Sequence, residues 1–340
     1  LNFETFTGPF VWKGDAVWNR PDACHYLSTS DISALRQALK REDLAGAAAH
    51  VIHPEVFQMP ELDGVLGKAR QELENGCGVF RLRNLDLCGL DVKAVERIFR
   101  LLTCQIGTPI SQSASGETLF HVCDAGFPAG HSQARGPNTR QGLSFHTDRC
   151  DIIAFACVRQ ALAGGENLLV SAAALHNHLL QERPDLLRQL YQPFIWKRHN
   201  IDTGNQRPWC ELPIFAPWKG KFMGNIMRVL IERGHQLPNI PNLTVLQREA
   251  LDTLESLARR PEFHTRFLQQ PGDLLFVNNL LVWHSREPFQ DAAEPDRKRL
   301  LLRIWLATAF SRELDPIYAG LYGHSQAGIL RGGIHPPNPA

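Results

Sequence analysis

The chain has 340 residues, 44% hydrophobic and 21% charged, enough for a large core in one big domain or two small ones. Its formal net charge is +1 and no Lys/Arg-rich block stands out, which excludes the footprint of a nucleic-acid or anionic-membrane binder and leaves a small-molecule partner. The eight cysteines are dispersed with no Cys-x-x-Cys pair, which argues against a zinc ribbon or a disulfide framework. No apolar run approaches the roughly 18 residues of a membrane span and no signal-peptide pattern opens the chain, so a cytosolic protein with reduced thiols is expected.

In chain order, the first segment is an aromatic, turn-rich arm (Phe6, Phe10, Trp12, Trp18) that needs a surface to cover. Ser30-Asp31 offers a cap to an amphipathic helix from Ile32 to Leu44, and Pro60-Glu61 opens another that ends near Asn75-Gly76. The alternation in Gly78 to Arg83 predicts a half-buried strand, followed by a helix from Asp91 to Cys104. Between Gln112 and Arg140 a Gly/Ser/Pro/Asn-rich loop, interrupted by the strand-like Thr118 to Val122, has the character of a lid or substrate wall.

A near-continuous apolar strand, Ile152 to Val158, precedes the turn Gly164-Gly165-Glu166-Asn167 and the strand Leu168 to Val170. Helices are expected over Ala172 to Glu182 and Pro184 to Tyr191; His176 and His178, two apart on the first, face different ways and read as surface or core histidines. Phe194 to Trp196 and Pro213 to Phe215 read as strands around a loop with Trp209, and Thr244 with Gln247 forms a capping box for a helix to about Arg259. Strands follow at Leu274 to Asn279, Leu280 to His284 and Leu300 to Thr308, and the tail beyond Ser311 is expected to pack back. Many short strands with turns between them suggest an antiparallel sandwich or barrel with added helices, in one domain.

Chemistry concentrates at Leu143-Ser144-Phe145-His146-Thr147-Asp148. An imidazole and a carboxylate one residue apart on an extended segment share a face and can take two positions on one metal ion. Chance alone supplies roughly 0.7 such triplets in a chain of this composition, so the partners decide its meaning. The best third ligand is His284, about 136 residues past Asp148 at the end of an apolar strand. Two His and one carboxylate leave three adjacent positions open, as a non-haem Fe(II) oxygenase needs; the same set could hold zinc for hydrolysis. Cys150, two residues past Asp148, reads as core filler. Arg299 and Arg303 share a face of the last strand, where a buried guanidinium wants a carboxylate: that of an acid ligand, or that of Asp291 or Glu294 in a structural ion pair.

Taken together, His-Thr-Asp, the apolar strand, Gly-Gly-Glu-Asn, Pro-Gly-Asp, Asn-Asn, His-Ser-Arg and Arg-x-x-x-Arg-x-Trp resemble the taurine dioxygenase (TauD/TfdA-like) family of Fe(II)- and 2-oxoglutarate-dependent oxygenases, over roughly residues 76 to 308. The resemblance implies a double-stranded β-helix (a cupin-like jelly roll) with flanking helices, thus a mainly β, α+β chain: an N-terminal arm and helices over 1–75, a core over 76–310 and a tail over 311–340. It implies that His146, Asp148 and His284 bind Fe(II), that Asn167 stands where relatives often use a hydroxyl against 2-oxoglutarate, and that Arg299 or Arg303, with Arg303 favoured, pairs with the distal carboxylate of this cosubstrate.

With O2, the expected outcome is succinate, CO2 and an oxidised C–H bond. Hydroxylation is the default, with desaturation, cyclisation or epoxidation as alternatives. Asp148 occupies the position a halogenase would leave vacant. Candidate substrate contacts are Gln112, Ser144, Asn225 and Arg228, which point to a small anionic or zwitterionic, amino-acid-like molecule. A non-catalytic jelly-roll binding protein and a zinc hydrolase are the rival readings. Neither nucleic acid nor membrane is expected as a partner, and a homo-oligomer is compatible with the composition.

Overall fold

The computed structural model describes residues 3–40, 59–127, 136–198 and 207–335. Two sheets carry the core. The larger runs in the order Cys24–Tyr26, Val79–Arg83, Leu274–Asn278, Ile152–Arg159, Leu300–Ala307 and Thr108–Ile110, with Leu119–Val122 also paired to Leu300–Ala307. Apart from the parallel first pair, its pairings are antiparallel. The smaller is His264–Phe267, Asn167–Ser171, Val282–Arg286 and Leu143–His146, antiparallel throughout.

The apolar strand at Ile152–Arg159 is nearly continuous because both of its faces are covered. Ile152, Ala154, Ala156 and Val158 pack under the helices Thr29–Ala38, Asp63–Glu74 and Val92–Cys104, while Ile153 turns to the second sheet with Leu275, Val277 and Trp305. The same two-residue period divides Leu300–Ala307: Leu300, Leu302, Ile304 and Leu306 enter the helical layer, and Arg303 and Trp305 face the opposite way. At about 1.5–3 kcal/mol for each buried large side chain, these two layers outweigh any surface interaction.

The aromatic arm does cover this core. Phe6 and Phe10 pack on Phe222, the Trp12 indole N–H donates to the carbonyl of Cys77 (2.9 Å) and that of Trp18 to the hydroxyl of Thr265 (2.8 Å). The tail returns as well, burying Leu314, Tyr318, Tyr322 and Arg331. All eight cysteines are free. No helix among the described residues is long and apolar enough to cross a membrane.

Several expectations need correction. The first helix is Thr29–Ala38, capped by Ser28, with Asp31 returning the bond to the Ser28 N–H; the cap sits two residues before Ser30 because Asp31 is the third residue of the helix, not its cap. Its expected continuation past residue 40 lies outside the described residues, as do 128–135 of the long loop and the end of the tail, 336–340. The strand facing Phe194–Lys197 is Trp209–Leu212, not Pro213 to Phe215. Ile214 and Phe215 are apolar because they are buried, and their N–H groups both donate to the carbonyl of Leu190. The strand Val79–Arg83 is buried on both faces for its first four residues: Arg81 is covered by the Trp18 and Phe267 rings and paired with Asp273, 3.3 Å away.

Candidate metal centre and cosubstrate pocket

The strand Leu143–His146 is pinned to Val282–Arg286 with His146 directly opposite His284, so two imidazoles distant in sequence stand with ring centroids 4.2 Å apart. Asp148 follows the strand, where the chain turns in: the Thr147 N–H donates to the carbonyl of Ile226, and the Asp148 N–H to the side-chain oxygen of Asn279. One ligand atom from each of His146, Asp148 and His284 lies within 4.8 Å of the others, a separation one metal ion can bridge. His146 Nδ1 lies 2.8 Å from the carbonyl of Ser144; donating there leaves Nε2 with its lone pair for a metal. The Nε2 of His284 is 3.8 Å from Asp148 Oδ2.

Electrostatics suit a cation. Burial alone would raise the Asp148 carboxyl, but the Arg303 guanidinium, both imidazoles and the Trp305 N–H outweigh it and hold it below the ordinary carboxylate range. Burial, and then His146, lower His284 to about 3, so its ring is neutral near pH 7, as a ligand must be. The Trp305 indole N–H donates to Asp148 Oδ2 (3.2 Å) and Arg303 Nη1 lies 3.4 Å from the same oxygen.

His146 and Asp148 line a cavity of about 1470 Å³, above the range of roughly 300–1000 Å³ usual for small-molecule sites, with room for two ligands. Gln112, Ser144, Asn225, Arg228 and Arg303 all line it. Their bonding separates them. Gln112 accepts from Arg303 Nε (2.7 Å) and donates to the carbonyls of Thr118 and Arg303, so it orients Arg303. Asn225 accepts from the Thr147 hydroxyl and donates to that of Tyr322. The Ser144 side chain is exposed.

Arg228 does not suit the role of an anion anchor. Its guanidinium meets Glu232 (2.8 Å), Glu255 (2.9 Å) and Asp252, and an incoming anion would face three carboxylates. Cys150 is core filler, its sulfur accepting from the Asn279 amide. His176 is wholly buried between Phe6, Phe215 and Phe222, with Nε2 2.7 Å from the Tyr191 hydroxyl, and His178 lies edge-on to Phe263.

Arg299 is 1% exposed, yet its Nε and Nη1 have no hydrogen-bond partner among the described residues; Asp291 takes its backbone N–H instead. An orphaned, buried guanidinium is what a ligand carboxylate would complete, so the donor set fits an acidic cosubstrate beside a metal. Asn167 donates to Gln269 (3.1 Å). Arg303, by contrast, pairs with Asp148 and neither Asp291 nor Glu294; the latter lies 3.9 Å from Arg297 at the surface.

Residues 40–305 match the sequence profile of the taurine catabolism dioxygenase TauD, TfdA family. The chain belongs to this family. Membership makes it a 2-oxoglutarate-dependent non-haem iron dioxygenase, working with Fe(II), 2-oxoglutarate and O2. It is similar to the FR-33289 synthase of Streptomyces rubellomurinus (strain ATCC 31215), 27% identical over 90% of this chain and 91% of the relative. It is also similar to the taurine hydroxylase-like protein SAT17 of Stachybotrys chartarum (strain CBS 109288 / IBT 7711), 27% identical over 91% of this chain and 83% of the relative. Among solved structures, the asparagine oxygenase AsnO shares its fold with a TM-score of 0.64 at 18% identity, covering 91% of this chain and 99% of that one. So does the non-heme iron oxygenase OrfP in complex with Fe and alpha-ketoglutaric acid, with a TM-score of 0.59 at 17% identity, covering 90% and 99%.

Motif reading named Trp305 and Asn279 only as letters in a pattern. Their hold on Asp148 emerges once the strands are paired, although the two-residue step from Arg303 to Trp305 already put both on one face. Asp151 and its partner Arg331 carried no signal in the sequence.

Proposed function

We propose that the protein hydroxylates an unactivated C–H bond of a small anionic or zwitterionic, amino-acid-like metabolite, with His146, Asp148 and His284 as the iron ligands. The observation that carries this reading is the convergence of those three ligand atoms within 4.8 Å, with His146 and Asp148 on the wall of a large cavity. Relatives in fold include an asparagine oxygenase with 2S,3S-3-hydroxyasparagine and succinate, and OrfP with (3S)-hydroxy-L-Arg; both favour the amino-acid class. Two largely antiparallel sheets over a shared core support a jelly roll.

Iron and 2-oxoglutarate, when bound, supply oxygen activation coupled to the loss of CO2 and formation of succinate. The chain's own residues do the rest. Trp305 and Arg303 hold Asp148 ionised and fixed, and the carbonyl of Ser144 sets the ring of His146. Arg299 is the better partner for the distal carboxylate of 2-oxoglutarate, since its N–H groups lack acceptors while Arg303 lies against Asp148 and Gln112. Arg303, beside the iron ligands, is then placed to meet an acidic group on the substrate.

The test is anaerobic loading with Fe(II) followed by O2, with succinate formation measured across acidic and neutral amino-acid-like candidates. Stimulation by a member of that panel is expected. Neutral terpenoids as the only stimulants would overturn the substrate class, and zinc-supported hydrolysis without succinate would overturn the reaction.

A further inference from the structure

Arg286 lies two residues past His284 on the strand Val282–Arg286, directly opposite Asn167 on the neighbouring strand. The two-residue period of a strand turns both side chains to the same face, and that face looks across to the larger sheet, where Phe155 stands 5.9 Å from His284. Arg286 is 6% exposed. Its Nη2 donates to the carbonyls of Thr139 (2.6 Å) and Gln141, in the loop that lines the cavity, while Nε and Nη1 have no partner among the described residues.

Arg299 approaches the same place from the opposite sheet. Each guanidinium carbon lies over the ring of Phe289, at 4.9 Å for Arg286 and 5.0 Å for Arg299, so the two are within about 10 Å of each other. Gly165 makes the space: a Cβ there would stand 3.1 Å from Arg299 Nε and 3.3 Å from the Cβ of Phe289. Two buried guanidiniums thus share one ring with four donor nitrogens unsatisfied, and no carboxylate among the described residues lies within 4.0 Å of either. Two desolvated like charges within about 10 Å of each other are unfavourable unless an anion offsets them.

We infer that Arg286 is a second cationic contact, with Arg299, for the carboxylate of 2-oxoglutarate farthest from the iron. One carboxylate has acceptor sites enough to take a hydrogen bond from each guanidinium. This rests on the cosubstrate reading of Arg299 given above and adds a residue to it. Its consequence is selectivity, because a 2-oxo acid without a second carboxylate would leave both guanidiniums unmatched.

The experiment measures calorimetric binding of 2-oxoglutarate and of 2-oxobutanoate, which lacks the distal carboxylate, to the Fe(II)-loaded protein under anaerobic conditions. Arg286→Gln is expected to weaken 2-oxoglutarate by roughly 10- to 100-fold, the loss of a charge-assisted bond, and to leave 2-oxobutanoate within about twofold. Arg286→Lys, which keeps the charge without the planar guanidinium, should fall between; it also serves if the Gln variant does not fold. If Arg286 only clamps the Thr139–Gln141 loop, its variants will weaken both acids alike or neither, and the inference fails. Arg299→Gln separates the two claims. Selective loss there without loss at Arg286 overturns this inference alone, whereas no loss at either position overturns the cosubstrate reading beneath it.

Discussion

Arg331, in the returning tail, donates through Nε to Asp151 at 2.8 Å, three residues past the metal-ligand candidate Asp148. Both side chains are at most 2% exposed. Asp151 also accepts from the Thr308 N–H through Oδ2, and its carbonyl accepts from the Asn279 N–H, the residue whose amide oxygen holds Asp148. The tail thus braces the turn that carries the candidate carboxylate ligand.

Removing one partner of a buried pair strands the other charge, so Arg331→Met should destabilise the fold by about 3–5 kcal/mol. Denaturant unfolding followed by circular dichroism checks this. A loss below 1 kcal/mol would mean that water reaches Asp151 and that the tail does not brace the turn.

Trp305→Phe removes the N–H donated to Asp148 while keeping an aromatic ring. Groups that fix a ligand in this way are typically worth 10- to 100-fold in metal affinity or activity, so a loss of roughly tenfold in Fe(II) affinity is expected, against undetectable binding for His284→Ala. Anaerobic titration with Fe(II), or with Co(II) as a redox-stable probe, provides the comparison. Unchanged affinity in Trp305→Phe would leave that hydrogen bond without a role at the metal.

Arg228→Gln should lower stability by about 1–3 kcal/mol, between exposed and buried pairs, because Glu232, Asp252 and Glu255 are left facing one another. The KM for an acidic substrate should hardly move. A tenfold rise in KM at unchanged melting temperature would return Arg228 to the role of anion anchor.

His176 makes stability depend on pH. Burial lowers it from 6.5 to about 4, so between those values the unfolded chain binds a proton that the folded chain does not. Its contribution is complete above about pH 6.5 and is lost as pH falls towards 4, by roughly 3 kcal/mol in all. The difference in unfolding free energy between the wild type and His176→Gln, measured from pH 7.5 to 4, should shrink by about that amount. A flat difference would show that His176 titrates normally.

The residues His146, Asp148 and His284 could be picked out of the chain because metal chemistry restricts ligands to few residue types, and a short His-x-Asp spacing survives in any extended segment. The strands that hold them were readable for a similar reason: a strand covered on both faces must be apolar throughout, as Ile152–Arg159 is.

Only the tertiary structure decided what the charged residues do. Arg228, Arg299 and Arg303 are the same side chain to a sequence reader. Yet one sits among three carboxylates, one is buried with N–H groups unmet, and one lies against the candidate metal ligand Asp148. Apart from Glu232, four residues from Arg228, those neighbours come from elements 24 to 155 residues away along the chain, brought near by strand register and helix packing. A guanidinium's role depends on which acceptors lie within about 3 Å, and local sequence carries no record of that distance.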